Sequence, residues 1–136
     1  MSRTDGVIQD DDRLAPEEYR ALRKAVGWPD PAVKDSDLAR ALQATWNVSA
    51  RTSDGKLVGL ARVLDDGALY ASLWDVIVAP GHQRAGLGTQ LFTRALKRVA
   101  DRSLVALVGT ADGAPIYTRA GFVPSDQRST GMFRRK

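Results

Sequence analysis

Hydrophobic and polar positions along this chain follow two periods, and the order in which they alternate predicts the elements. Residues 15–26 read as a helix. Pro16 suits its first turn, Glu17 and Glu18 sit near the positive end, and Arg23 and Lys24 sit near the negative end. Leu14, Leu22, Ala25 and Val26 give it one buried face, and the Gly27-Trp28-Pro29-Asp30-Pro31 run stops it. Asp35 or Ser36 can cap a second helix to about Leu42, with Leu38, Ala41 and Leu42 turned inward. Before these helices, residues 7–9 suit a short edge strand.

Three strand-like runs follow, over residues 44–52, 57–64 and 68–78. They are separated by Ser53-Asp54-Gly55-Lys56 and Asp65-Asp66-Gly67. Asp-Gly pairs between such runs are strong hairpin signals, so the middle third predicts an antiparallel meander with Trp46 in its core. The period then changes. Leu87, Leu91, Ala95, Leu96 and Val99 share one helical face, and Arg94, Lys97, Arg98 and Asp101 take the other. Residues 104–108 form an apolar block of the length of a buried strand. Residues 114–120 suit a short helix ended by Gly121, a good left-handed cap. Further extended pieces are expected from Phe122-Val123 and over residues 130–133. The pattern amounts to an α+β class, with a mixed, mostly antiparallel central sheet flanked by about four helices.

Composition narrows the chemistry. A chain of 136 residues is expected to form a single domain over residues 1–136. Cysteine is absent and there is one histidine, which excludes disulfides and argues against zinc; no metal is expected. The first residues lack the apolar core of a secretory signal, and no apolar run approaches the ~20 residues that span a bilayer. The expectation is a soluble, cytoplasmic protein with no membrane partner. Residues 1–68 carry 10 Lys/Arg and 12 Asp/Glu, whereas residues 69–136 carry 10 and 4. The basic half would suit an anionic cofactor and the acidic half a cationic substrate.

That basic half holds Gln83-Arg84-Ala85-Gly86-Leu87-Gly88, placed between the run ending at Pro80 and the helix that follows. Backbone N–H groups at a helix start have no intrahelical acceptors and face positive dipole potential. A glycine-bearing turn lets an anion approach them. The turn is not a Walker A loop, because Gly88 is followed by Thr89 and not by lysine. Nor does it sit in the βαβ unit of a dinucleotide fingerprint, because an antiparallel meander precedes it.

In its element order and its motifs the chain resembles the GCN5-related N-acetyltransferases, the GNAT enzymes. Gln83, Gly86 and Gly88 match the family's acetyl-CoA signature, Gln/Arg-x-x-Gly-x-Gly/Ala, at the expected place. Tyr117, shortly before Gly121-Phe122, matches a second signature. Within the family, residues 73–78 and the tail Gly131-Met132-Phe133 are similar to small members of the arylalkylamine type.

The resemblance implies a chemistry residue by residue. Acetyl-CoA would be the co-substrate. Backbone N–H groups of Arg84, Ala85, Gly86, Leu87, Gly88 and Thr89 would bind its pyrophosphate, with the Thr89 hydroxyl and the Arg84 guanidinium as further donors and Gln83 steadying the turn. A backbone N–H of Ile77 or Val78 would polarise the thioester. Tyr117 would be the general acid that protonates the leaving thiolate, since a phenol with a pKa of about 10 keeps its proton at neutral pH. Relatives often carry a glutamate where this chain has Trp74. The base role therefore falls to Asp75, although strand alternation would point it away from the face of Trp74. Ordered water is the alternative base. Trp74 and Trp28 are candidate walls of the acceptor pocket, with Tyr19 and Asp30 as companions.

The function so implied is acetyl transfer to a primary amine. The small chain favours a small-molecule amine over a protein amine, and the family's habits include homodimers. Two rivals stand beside it: an acyl-CoA-binding regulatory module, against which Tyr117 argues, and a nucleic-acid binder suggested by a pI near 9.8. The chain lacks the clustered basic and aromatic residues of the latter away from the glycine turn, so no nucleic acid is expected.

Overall fold

A computed structural model describes residues 7–83, 86–124 and 128–136. The chain runs β1 (Val7–Gln9), α1 (Pro16–Ala25), α2 (Asp35–Gln43), β2 (Trp46–Arg51), β3 (Leu57–Asp65), β4 (Tyr70–Val78), α3 (Leu87–Val99), β5 (Leu104–Leu107) and α4 (Ala114–Arg119), with a 3₁₀ turn at Ala111–Gly113. The strands lie in sequence order in one sheet. Neighbours from β1 to β4 are antiparallel, and β5 joins β4 in parallel. Among the described residues this is the mixed, mostly antiparallel sheet with about four helices that the pattern predicts.

Side-chain alternation divides the core between the two sheet faces. Gly59 of β3 faces α3: a Cβ there would come within 2.8 Å of Leu91 Cδ1. Arg62, an odd number of positions along, reaches the other face, where it donates to the Tyr19 hydroxyl of α1 and the Ala41 carbonyl of α2. Leu91, Phe92, Ala95 and Val99 seal the first face, and Tyr19, Leu22, Leu38 and Leu42 are buried on the second. Burying a large side chain stabilises by roughly 1.5–3 kcal/mol, so the two helical faces hold the sheet between them.

A break in the β3–β4 ladder bears directly on the site. Leu60 pairs with Ile77, and Arg62 pairs with Trp74. Ala61 alone therefore stands opposite Asp75 and Val76, and Asp75 takes a left-handed backbone with φ 54°. This is a β-bulge, which adds a residue to one strand and bends it.

Several elements differ from expectation. The apolar block at residues 104–108 is not a buried strand: β5 is the sheet's outer strand among the described residues, and Leu104 is 59% exposed. The extended pieces expected after Phe122 form no strand within residues 122–124 or 128–136, so no sixth strand pairs with β5 among the described residues. Trp46 is half-buried and carries the Arg98 guanidinium over its ring at 5.0 Å. Ala41 is exposed, and no side chain caps α2, whose cap residue is Lys34.

Candidate active site

A cleft of about 560 Å³ opens where β4, the start of α3 and α4 converge. Its floor is Val76, Ile77, Val78 and Pro80, one rim is Gln83, Gly86, Gly88 and Thr89, and the opposite walls include Trp28 and Tyr117. Among the described side chains, which do not include that of Asp112, no acidic, basic or histidine side chain lines it.

The rim is built by local chain geometry. Gln83 Nε2 donates to the Val78 carbonyl at 2.9 Å, tying the turn to the end of β4. Gly86 caps α3 with φ 70°, a left-handed conformation that costs glycine nothing. The Gln90 N–H makes the first helical bond, to the Gly86 carbonyl at 3.1 Å. The N–H groups of Leu87, Gly88 and Thr89 therefore have no acceptor within the helix and present its positive end to the cleft. No acidic residue lies in that first turn to oppose an incoming anion. The Leu87 side chain itself is buried in the core. A glycine cradle, free helical N–H groups and an uncharged trough beyond them fit a pyrophosphate followed by a long neutral arm, as in acetyl-CoA. Arg84 and Ala85 lie outside the described residues.

Tyr117 stands on the far wall, on α4. Its ring packs against Phe92 with centroids 5.1 Å apart, and Phe92 in turn meets Phe122 at 5.8 Å. The Gly121-Phe122 pair thus anchors the tyrosine through α3. Gly109 and Gly113 form the seat for the ring: a Cβ on Gly109 would lie 2.2 Å from Tyr117 Cε2, and one on Gly113 would lie 2.8 Å from its hydroxyl. Burial holds the phenol above its ordinary pKa of 10.0, so it stays protonated.

Asp75 does not line this cleft. The bulge turns its carboxylate toward α1, on the side of Arg62, and not to the face that strict alternation gives it. Its Oδ2 accepts from Arg62 Nη1 at 2.9 Å, and Arg23 Nη1 lies 3.4 Å from Oδ1. The Tyr19 hydroxyl donates to Oδ2 as well. Burial, first, and the Asp75 charge, second, push the Tyr19 phenol up from its usual pKa, which keeps it a donor.

The other sequence candidates divide. Trp28 reaches the cleft wall, together with Ala25 and Val26 of the α1 end. Trp74 does not: it pairs with Arg62 across the ladder, is 39% exposed, and donates its indole N–H to Ser72 Oγ at 2.6 Å. Tyr19 is buried in the core beneath Asp75, and Asp30 forms an exposed ion pair with Arg20 at 2.9 Å. Sequence reading missed Val76, Thr110 and the two glycines under Tyr117. The four-residue spacing of Gly113 and Tyr117, which places one turn beneath the other, was the available signal. No group of described residues could hold a metal ion, and no described helix is long and apolar enough to cross a membrane.

Comparison with known proteins bears on this geometry. The acetyltransferase (GNAT) family model matches residues 12–122. Soybean histone acetyltransferase TAP1 is 33% identical over 129 residues, covering 85% of this chain and 55% of the relative. The chain spans about half the length of several of the curated relatives it matches. Among solved structures, the GNAT-family protein SP0256 of Streptococcus pneumoniae superposes with a TM-score of 0.79 at 29% identity, covering 96% of this chain and 98% of that one. A Staphylococcus aureus protein superposes at 0.81 with 22% identity, covering 96% of this chain and all of that one, a likeness of fold.

Proposed function

Since the chain belongs to the acetyltransferase (GNAT) family, we propose that it transfers an acetyl group from acetyl-CoA to a primary amine by direct attack on the thioester. The single observation that carries this reading is a protonated phenol, Tyr117, on the same cleft as the open end of α3.

Acetyl-CoA supplies an acyl group already activated as a thioester. The chain's own residues would do the rest. The N–H groups at the start of α3 hold the pyrophosphate, aided by the Thr89 hydroxyl. A backbone N–H of Ile77 or Val78 stabilises negative charge developing on the acyl oxygen, a contribution on the order of 3 kcal/mol to the barrier. As the amine nitrogen bonds to the acyl carbon and the C–S bond breaks, Tyr117 gives its proton to the sulfur and regains one from solvent. Trp28 closes the acceptor side. The amine's own proton is not assigned to Asp75, whose oxygens accept from a phenol and a guanidinium and face away from the cleft. Water carries it, and no described side chain of the lining competes for the task.

The described lining supports a small acceptor. Valine and isoleucine on the floor and tryptophan on the wall suit a small amine that enters as the free base. A protein amine stays within the reading because the soybean relative is named a histone acetyltransferase.

The test is thiol release from acetyl-CoA across a panel of small amines, polyamines and a lysine-bearing histone peptide. Turnover is expected with at least one small amine. Tyr117→Phe should lower kcat by about 10²-fold or more while acetyl-CoA affinity stays near the parent's. Tight binding of acetyl-CoA without turnover of any amine would favour an acyl-CoA-binding module instead, and unchanged kcat in Tyr117→Phe would remove the tyrosine from the chemistry.

A further inference from the structure

We infer that Asp75 is a positioning residue: gripped by Arg62, Tyr19 and Arg23, it locks the β4 bulge that presents residues 76–78 to the cleft.

A non-glycine residue at φ 54° is uncommon, and aspartate and asparagine are the side-chain-bearing residues that tolerate it best. Such a conformation persists only where its surroundings over-determine it. Here they do. The Asp75 side chain is 11% exposed, and the Arg62 and Arg23 side chains are 12% and 17% exposed, so the ion pairs sit largely out of water. Arg62 is itself fixed from several sides. It donates to Thr45 Oγ1 at 3.2 Å, to the Ala41 carbonyl at 3.1 Å and to the Tyr19 hydroxyl at 3.1 Å, besides Asp75. The carboxylate is thereby bound to a guanidinium that spans α1, α2 and the strands.

The consequence for the cleft is geometric. The bulge places an extra residue in β4 between the pairs Arg62–Trp74 and Leu60–Ile77. Losing it would slip the strand's end by one residue and reverse which face each side chain takes. Ile77 would turn from the α1 face to the α3 face, and the backbone of residues 76–78 would no longer meet the cleft in its present register. The same cluster reaches the opposite wall. Arg23 donates to the Pro29 carbonyl at 3.1 and 3.0 Å and lies 5.3 Å from the centre of the Trp28 ring. One carboxylate thus ties the floor of the cleft to its tryptophan wall.

This inference rests on the proposed acetyl-CoA site but can be read without turnover. The readouts are the calorimetric Kd for acetyl-CoA and amide exchange at residues 76–78 of the full chain, for the parent, Asp75→Asn, Asp75→Ala and Tyr19→Phe. Asparagine tolerates the left-handed backbone and keeps an acceptor oxygen, so Asp75→Asn should bind within about threefold of the parent. Asp75→Ala loses both properties and should bind about tenfold or more weakly, with faster exchange at residues 76–78. Tyr19→Phe keeps the ring and loses only the hydroxyl, and should fall between them in both readouts. It decides the matter if Asp75→Ala does not fold. Parent-like affinity and exchange in Asp75→Ala, or in Tyr19→Phe where that variant decides, would overturn the inference. So would an Asp75→Asn chain that keeps the parent's affinity and exchange but loses turnover, which would make the residue a proton carrier. If the parent binds acetyl-CoA yet acetylates nothing, the proposed activity fails and this test still stands. If it does not bind, the exchange measurement alone decides.

Discussion

At the scale of single residues, Tyr117 and the absence of a charged side chain from the described lining set the expected pH dependence. Burial raises the phenol's pKa above 10.0, so Tyr117 retains its proton throughout the neutral range. With no described carboxylate, histidine or lysine on the cleft, the supply of reactive amine is set by the acceptor's own ionisation. For an acceptor of pKa near 10, log(kcat/KM) should rise with unit slope between about pH 6 and 9, without an enzyme-derived inflection. An inflection near pH 6–7 in that profile would reveal a base supplied from outside the described lining. Asp75 illustrates the opposite lesson at this scale. A carboxylate a few residues from a glycine motif is not thereby a base. Its partners decide, and here they are two guanidiniums and a phenol.

Among the elements, α4 and the chain before it act as one mount for the tyrosine. The ring of Tyr117 occupies the space left by the missing side chains of Gly109 and Gly113 and leans on Phe92. Gly113→Ala brings a methyl group to 2.8 Å from the hydroxyl, so the ring must shift. We expect this variant to keep its fold and acetyl-CoA binding and to lose kcat by about 10-fold to 100-fold, because misplacement of about 1 Å has that effect on a positioned group. Steady-state kinetics beside a binding titration would check it, and an unchanged kcat would show that the seat is not needed. The β4 bulge is the comparable device on the facing wall. Both are places where one residue or one missing methyl group sets the position of the chemistry.

For the molecule as a whole, the charge asymmetry of the sequence has a structural use beyond a field for an anion. Arg94 of the basic half pairs with Asp10 at 2.9 Å, Arg102 with Asp65 at 2.7 Å, and Asp75 with Arg23 and Arg62 of the other half. These pairs join segments far apart in the chain, and they carry a pH signature. The hydrogen bond from Arg102 is the main cause that lowers Asp65 to about 2, and that from Arg51 is the main cause that holds Glu18 below its ordinary 4.5. A carboxylate whose pKa is lower folded than unfolded binds fewer protons when folded. Its stabilisation is therefore complete above the unfolded pKa and is lost as pH falls toward the folded one. Urea midpoints should hold above pH 5 and decline between about pH 4.5 and 2, and Arg102→Gln should show a smaller decline than the parent. Equal declines would mean that the Asp65 pair contributes nothing in solution, as many exposed pairs do.

The elements that sequence reading found, and those it did not, separate by the range of the forces involved. The period switch, the Asp-Gly turns, the glycine turn at Gln83 and the mount of Tyr117 on a short helix ended by Gly121 all depend on neighbours within a few residues. Each was therefore legible in the chain. The strands expected after Phe122, which do not form among the described residues, belong to the complementary case: whether an apolar run docks on a sheet edge depends on distant packing that no local signal reports. The bulge, the fate of Asp75 and the seat of Tyr117 required the tertiary structure. Tyr19 and Asp75 are 56 positions apart, and Arg62 reaches α1, α2, β4 and Thr45 of the turn before β2. A strand pattern by itself assumes strict alternation, and a single residue in a left-handed backbone reverses it. By itself the sequence determined a glycine turn at a helix start and a phenol on one fold. Only packing between distant segments decided where the Asp75 carboxylate points, and it turned that group away from the cleft, because α1 and β3 together provide more partners for the charge than the described lining does.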